Sequence, residues 1–512
     1  MNASKTYLSL GSSADLSGFD RALYRALEML PAILAWATIV LMFVASRFVP
    51  RTAAIFIIVF DLYWLIKTVF ISFHVRSSWR RMQHHLALDW YERIKFLKWD
   101  HVWQLVVLPT ADEPKEIIRE SLESLASCQW PRERMMIVLA VEDTGEGARE
   151  LGAYFERMFR DRFGIFLVTF HPQNVAGEMR GKGSNETYAM REALETVRAK
   201  NIPIENILVS SFDIDTKLYP QFFLCLAWHF LTAEKPYRSS FQPVPLYHNN
   251  IWDAGAISRV VASSGTFWQM MQQERPERLT TFSSHSMSLK SLQEAGFWQT
   301  NIVSEDSRIF WNHFFAFDGD WQVVPLFYPV SMDANLAHSF WGTAKNVYRQ
   351  QRRWGWGVEN VPYILFNFIK NKNASRAKKL RFSFNLLEGF WSWATNAILI
   401  FALGWLPIFL GGREFSREVI AYNLPIITRW IMTLSMVGIV TSAIIAQAML
   451  KKTKKDYAAN WHSSLFLQWI LMPLTIIIFG ALPGLEAQTR LALGGKWRLG
   501  FWVTPKSRPV LG

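Results

Sequence analysis

Three short runs of acidic, basic and aromatic residues occur in one order along the chain: Phe212-Asp213-Ile214-Asp215, Ser304-Glu305-Asp306 and Gln350-Gln351-Arg352-Arg353-Trp354. Asp213 and Asp215 are two residues apart, so on an extended backbone their carboxylates share a direction and can grip a hard cation such as Mg²⁺ or Mn²⁺. Two carboxylates do not complete an octahedral shell, so phosphate oxygens and water would supply the rest. In isolation the pair reads equally well as two solvated acids in a turn. Glu305 and Asp306 open a segment of helical pattern over 306–317. A carboxylate there accepts a proton from a hydroxyl within reach, or only complements the positive end of the helix dipole. In the third run Arg353 supplies a fork for phosphate, and Trp354 an apolar face for a sugar ring. Gln350, Gly355 and Gly357 suit close approach of a ligand.

A fourth feature, Gly181-Lys182-Gly183-Ser184-Asn185, opens another helical pattern. Free backbone N–H groups and the Lys182 charge would suit phosphate, while an ordinary loop with Ser184 as N-cap is the competing reading.

The elements that must hold these residues alternate. Residues 103–108, 135–141, 165–170 and 206–211 are β-rich, and helical patterns cover 114–127, 147–160 and 184–198. That order predicts a mostly parallel, Rossmann-like sheet with helices on its faces, and ligands bind such sheets beyond the carboxyl ends of the strands. Thr110, Asp112 and Glu113 follow the first strand, Glu142 and Asp143 the second, and Asp213 and Asp215 the fourth. Periodicity alone therefore lines one edge with carboxylates.

Outside this centre lie apolar stretches of membrane length, at 27–49, 52–75, 391–410, 425–450 and 461–480. Each can cross a core of roughly 30 Å at about 1.5 Å per residue. Pro50-Arg51 is expected to turn between the first two, and 411–423 to form a short outer loop. Pro473, Gly480 and Pro483 tilt the last stretch toward a re-entrant or broken helix. Asp61 falls within the second stretch and should face the bundle, bonded to another helix or lining a polar path.

Composition agrees with a soluble centre joined to membrane spans: 512 residues, 50% hydrophobic, 15% aromatic, with 24 Trp and 38 Phe. The net charge of +13 could suggest nucleic acid, but the basic residues gather beside the apolar stretches. Arg76, Arg80, Arg81, Lys95 and Lys98 follow the second, Lys370 to Arg381 precede the third, and Lys451 to Lys455 precede the last. This is the positive-inside pattern, which places the centre in the cytoplasm beside a lipid bilayer and argues against a nucleic-acid partner. Cys128 and Cys225 give neither metal-ligand spacing nor a disulfide framework. The N-terminus is polar to about Asp20, so no cleavable signal peptide is expected.

The ordered motifs resemble the inverting family 2 glycosyltransferases of the GT-A fold, in the membrane-embedded branch similar to cellulose, chitin and hyaluronan synthases. The resemblance runs from Leu105 to about Trp354. It implies that Asp143 contacts the uracil end of a UDP-sugar, Lys182 the diphosphate, and Asp213 and Asp215 the metal–nucleotide. Asp306 matches the Thr-Glu-Asp base, here preceded by Glu305 and by Ser304 in place of Thr. Gln350, Arg353 and Trp354 match the Gln-x-x-Arg-Trp signature, Gln242 lies in a segment lining the acceptor terminus, and Thr110 and Glu113 join the substrate-binding edge. Residues 501–506 resemble a piece found after the last helix of cellulose synthases. Glu142-Asp143 stands where Asp-Asp is usual, and Pro243-Val244-Pro245 departs from Phe-x-Val-Thr-Gln, which leaves the acceptor open. No cyclic-dinucleotide-binding domain is expected after Lys506.

The sequence therefore predicts a polar N-terminus (1–26), two transmembrane helices (27–75) and a basic linker (76–100). A GT-A domain (101–335), interfacial helices with the Gln-x-x-Arg-Trp run (336–385), C-terminal transmembrane helices (386–486) and a basic tail (487–512) follow. The expected activity is transfer from a nucleotide-sugar donor, with Mg²⁺ or Mn²⁺, to build a β-linked polysaccharide on a carbohydrate acceptor. Single addition to a lipid acceptor is the alternative. A non-catalytic exporter subunit would tolerate loss of the acids, and all of them are present.

Overall fold

The computed structural model describes residues 7–371, 373–450, 465–500, 502 and 504–505. The basic run 451–455, the first residues of the last expected span and half of 501–506 lie outside them, so the expectations placed there are not addressed.

Eight strands form one sheet in the order β3-β2-β1-β4-β7-β6-β8-β5. They are β1 (Trp103–Thr110), β2 (Met135–Glu142), β3 (Ile165–His171), β4 (Ile207–Ser211), β5 (Lys217–Leu218), β6 (Ser239–Leu246), β7 (Ser286–Ser288) and β8 (Gln322–Ser331). The predicted half is present almost residue for residue. β2, with hydrophobic positions facing both ways, is buried along its whole length. Val106, Leu108, Ile137, Leu139 and Val141 pack with the helices Lys115–Ala126 and Glu146–Phe159. Leu105, Val107, Met136, Val138 and Ala140, one step out of phase, pack with Lys182–Ala199 on the other face. The two-residue period of a strand thus builds two cores from one run of sequence.

The sheet as a whole is mixed rather than mostly parallel. β1–β2, β1–β4, β2–β3 and β6–β8 pair parallel, whereas β4–β7, β6–β7 and β5–β8 pair antiparallel. The short β7 carries the reversal, and prolines in β6 and β8 coincide with a register shift between Gln242 and Val244. A proline gives no ladder N–H, so a bulge is the ordinary way to admit it.

Among the described residues four helices are long and apolar enough to cross a membrane: Gly18–Phe48, Pro50–Ala87, Val419–Met449 and Leu465–Leu493. A fifth candidate, Arg376–Phe401 with Leu403–Leu410, is bent by 51°. Several expected boundaries shift. The first break falls at Val49, with Pro50 already at the start of its helix, a place where its missing N–H costs nothing. That helix absorbs Arg76, Arg80 and Arg81, placed by sequence in a linker. The stretch 411–423 is mostly helical, as Gly412–Ser416 and the start of Val419–Met449. The last apolar segment is one continuous helix rather than a re-entrant loop: a turn of 3-10 helix at Gln468–Leu471 and a π turn at Ile477–Ala481 accommodate Pro473 and Gly480. Asp61 is buried and accepts a hydrogen bond from Thr428 of Val419–Met449 at 3.2 Å, the interhelical arrangement rather than an open path.

Candidate active site

The carboxyl ends of β1, β2 and β4 reach one edge of the sheet, and the chain leaves β4 directly into Asp213 and Asp215. Two helix starts close on that edge. One begins at Lys182 and the other at Glu305, followed by Asp306. Gly183 lets them meet: a Cβ there would lie 2.7 Å from the Gln299 carbonyl oxygen and 3.0 Å from the Glu305 Cβ. The glycine serves close helix packing, and Ser184 is not the N-cap. Gly181 is, and the Ser184 hydroxyl donates back to the Met179 and Gly181 carbonyls.

Lys182 is the hub. Its ammonium lies 2.8 Å from Asp213 Oδ1 and 2.8 Å from Asp306 Oδ1, and 3.9 Å from Glu186 one turn along its own helix. Lys182 thus reaches a residue 124 positions along the chain and joins it to Asp213 through one side chain. A turn at 281–284 sets the two aspartates from behind. Ser283 donates to Asp213 Oδ2 at 2.7 Å, and Thr281 to the Asp306 carbonyl at 2.7 Å. Gln242 anchors that turn, accepting from Phe282 N–H at 2.9 Å and donating to the Ser283 carbonyl at 3.1 Å. It is fully buried, so the amide assigned by resemblance to the acceptor is spent on positioning the acids.

The Gln-x-x-Arg-Trp run forms the end of the helix Phe340–Gly355. Trp354 faces Tyr247 with ring centroids 6.3 Å apart, and Gln350, Trp354, Tyr247, Ser258, Asp333 and Asn335 line a narrow cleft. Tyr247 sits within electrostatic reach of Asp213, Asp215 and Arg353. Its phenol is pushed up by burial and by the two aspartates, against the opposing pull of Arg353. One side chain thereby ties the third motif to the first. Arg352 turns away and pairs with Glu486 of Leu465–Leu493 at 2.7 Å, which also accepts from Tyr348 at 2.8 Å. Gly355 presses on the same helix, its absent Cβ 3.3 Å from Gly484 Cα.

Glu359, five residues past Trp354, reaches back to the start of the Asp306 helix. Its buried carboxylate accepts from Val303 N–H at 3.0 Å, Ser304 N–H at 2.9 Å and Ser304 Oγ at 2.8 Å, and from Trp356 at 2.9 Å. Arg308, fully buried two residues after Asp306, binds Asn360 and the Glu359 carbonyl and lies 3.8 Å from the centre of the Tyr363 ring. The Ser304 that replaces Thr is therefore a link between motifs.

The other expected residues lie farther out. Asp215 is buried and accepts from Asp333 N–H at 3.1 Å. Thr110 donates to Glu113 at 2.9 Å, closing the turn after β1 on itself. Asp143 pairs with Arg149 at 2.8 Å, which holds its carboxyl below the usual range. Beside it, His171 sits between Glu142 and Glu178 at 3.2 and 3.1 Å. Burial pulls this imidazole down, and the two carboxylates outweigh it, so its pKa is raised.

Known proteins resemble the chain only in structure, and loosely. No family model matches it, and no curated protein does. Similar solved structures include the mannosyltransferase PcManGT from Pyrobaculum calidifontis, in complex with GDP-Man and Mn²⁺. That protein is 15% identical, over 79% of this chain and 99% of that one, with a TM-score of 0.37. S. aureus TarS 1–349 in complex with UDP-GlcNAc is 14% identical over 68% and 91%, with a TM-score of 0.35. At this degree of superposition the likeness carries no argument, and the reading of function rests on the residues.

Electrostatics sorts the acids into two groups. Burial pushes the Glu186 carboxyl up to about 8, and burial with the neighbouring Asp306 charge also raises Glu305. Glu186 therefore holds its proton near neutrality, and the two carboxylates nearest the Lys182 ammonium are those of Asp213 and Asp306. Burial would lower the Lys182 pKa, but the surrounding carboxylates outweigh it and hold the ammonium charged. His285, 3.9 Å from Asp306, is pulled down to about 4 by burial and stays neutral.

Glu186 carries a measurable consequence. An ordinary carboxyl ionises near pH 4.5 in the unfolded chain, so between that pH and about 8 only the folded state keeps the proton. Wild-type stability should therefore fall as pH rises through this window. Glu186→Gln keeps the acceptor for Ser211 and removes the titration, so its melting temperature relative to wild type should climb steadily from pH 5 to pH 8. Thermal unfolding at three pH values checks this, and a constant difference would refute it.

Sequence reasoning did not single out Tyr247, Thr281, Ser283, His285 or Glu359. Each acts through contacts with residues far along the chain, and no local spacing signals it.

Proposed function

We propose that the chain is an inverting, nucleotide-sugar-dependent glycosyltransferase of the family 2 type. It works at the cytoplasmic face of the cell membrane and builds a β-linked polysaccharide that is passed outward. The observation that carries this reading is the Lys182 bridge, which joins Asp213 and Asp306 at the carboxyl edge of the parallel strands, with 2.8 Å to each.

The chemistry follows from those positions. Asp306 accepts the proton of an acceptor hydroxyl, whose oxygen forms the new bond to the anomeric carbon. The bond from that carbon to the nucleotide diphosphate breaks, and the diphosphate leaves with the electron pair. Lys182 and Arg353 supply positive charge to the leaving phosphates, the kind of preorganised stabilisation that usually contributes most. Glu359 and Arg308 hold the base-bearing helix start against the Trp354 segment, so the sugar platform and the base keep one spacing. Asp143 would lie toward the nucleoside, as uracil binding in a UDP-sugar requires.

Among the described residues no group of three or more His, Cys, Asp or Glu side chains is placed to hold a metal ion alone. Asp213 and Asp215 offer hard oxygen donors that fit Mg²⁺ or Mn²⁺ shared with a diphosphate. When bound, the ion would neutralise phosphate charge. Chelator should accordingly lower transfer more than tenfold, with recovery on adding Mn²⁺ or Mg²⁺. Asp215→Asn should raise the metal concentration needed for half-maximal rate. Wild-type transfer at full rate in excess chelator would remove the metal assignment.

Single addition to a lipid acceptor is favoured by one observation. A second, narrow cleft shares Tyr247 with the first and is lined by Ile251, Phe267, Ala446 and Met449 together with His248 and Thr266, toward the end of Val419–Met449. The deciding experiment is purified full-length protein in lipid vesicles with a panel of radiolabelled UDP- and GDP-sugars. A ladder of products supports the polymer, one added sugar on lipid supports the alternative, and no transfer from any donor overturns both.

A further inference from the structure

We infer that Asn335 is a sugar-recognising residue of the acceptor side, a role that rests on the glycosyltransferase reading above. Asn335 follows β8 and is 6% exposed. Its backbone is tied down, since its carbonyl accepts from Ser258 and the preceding Ala334 exchanges two hydrogen bonds with Asn250. Its side chain is not: both Nδ2 and Oδ1 are buried without a hydrogen-bond partner. Neighbouring amides behave differently, with Asn249, Asn250 and Gln242 all bonded through their side chains. Burying a donor and an acceptor unpaired is costly, and native structures rarely leave such a group without a reason.

The place supplies the reason. Asn335 lines the same cleft as Trp354, Tyr247 and Gln350. A ligand satisfying this amide must both accept from Nδ2 and donate to Oδ1. Phosphate accepts but cannot donate when ionised, and an acyl chain does neither. A trapped water does both but would leave the transfer rate dependent on nothing at Asn335, whereas neighbouring hydroxyls on a pyranose do both while the ring lies against an aromatic face. Lys182, Asp213 and Asp306 do not line this cleft, and it shares Tyr247 with the second cleft, which reaches Ala446 and Met449. The hydroxyl pair is therefore assigned to a sugar rather than to the donor phosphates, and an unchanged donor KM in the test below is what distinguishes the acceptor sugar from the donor sugar.

The test exploits the unpaired state. Asn335→Leu removes two unsatisfied atoms at nearly constant volume. An amide with no ligand would be improved by the change, with a higher melting temperature and an unchanged rate. Recognition of a sugar predicts a melting temperature no lower than wild type, a rate of sugar incorporation at least tenfold lower, and a donor KM within twofold. The assay is the vesicle assay with radiolabelled nucleotide sugars, using full-length protein. Asn335→Ala should show the same loss of rate, and it stands in if the leucine variant does not fold. Recovery of wild-type rate by Asn335→Ala would mean that leucine only blocks the cleft, and would overturn the proposal. So would a rate within twofold of wild type in Asn335→Leu, or a tenfold rise in donor KM. Wild-type protein that transfers from no donor would instead overturn the glycosyltransferase reading itself.

Discussion

Asp306→Asn should transfer sugar about 10²–10⁴-fold more slowly than wild type while binding the nucleotide sugar as well. The substitution keeps the shape of the side chain and keeps an oxygen facing Lys182, so the contact at 2.8 Å loses charge but not geometry. The helix start survives because its grip comes from Glu359 on Ser304 and from Arg308, neither of which touches the Asp306 carboxylate. What is lost is the proton acceptor. Glu305 next door does not take over, since it is buried, with its carboxyl raised by burial, and is not open to an incoming hydroxyl. Incorporation from radiolabelled donor, alongside nucleotide protection against thermal unfolding, checks both halves. A variant that transfers at full rate would show that Asp306 only complements the dipole of its helix.

Lys182→Met should both silence the enzyme and destabilise it, by roughly 3–5 kcal/mol, the usual cost of removing one partner from a buried ion pair. The cost arises because Asp213 and Asp306 would face each other without the cation between them, close to Glu186 and Glu305. The sign of its pH dependence follows. With the ammonium gone, the remaining carboxylates can regain balance only by binding protons, so the deficit should shrink on acidification from pH 7.5 toward pH 5. Wild type should show no matching gain from Lys182 in that range. Its raised pKa means the lysine is charged in both folded and unfolded chains until the pH passes the ordinary lysine value. Denaturation at the two pH values measures the difference. A deficit that stays constant or widens on acidification would mean the four acids are not coupled through this lysine.

How far the sequence reaches is visible strand by strand. β1 to β4 are legible because each is an apolar run and three helices of clear period alternate with them, which is the grammar of a parallel sheet. The other half is not. β5 has two residues and β7 three, too few for any periodicity, and β6 carries Pro243 and Pro245, which argue against a strand until a bulge is allowed. The mixed character of the sheet was hidden for that reason. In the site, Lys182, Asp213 and Asp306 announce themselves by residue type and order. Gln242 is misleading, because a polar residue in a motif reads as ligand-facing while its amide holds the turn behind the acids. Glu359 and Asn335 are silent, since a lone acid or amide outside any motif gains meaning only from what packs around it.

The Glu486 contacts make the lipid an instrument of catalysis. Arg352, Tyr348 and Gly355 fasten the Trp354 segment to a 29-residue apolar helix, whereas Asp306 is borne by the sheet domain. Such a helix answers a mismatch between its length and the hydrocarbon thickness by tilting. Glu359 ties that segment to the helix start bearing Asp306, and Val303 beside it packs with Ala487 and Leu491 of the same apolar helix, so under the proposed reading a tilt carries platform and proton acceptor together and changes their distance from the sheet edge, which acyl-chain length thereby helps to set. In reconstituted membranes the turnover number should pass through an optimum as that thickness is varied, with donor affinity nearly level.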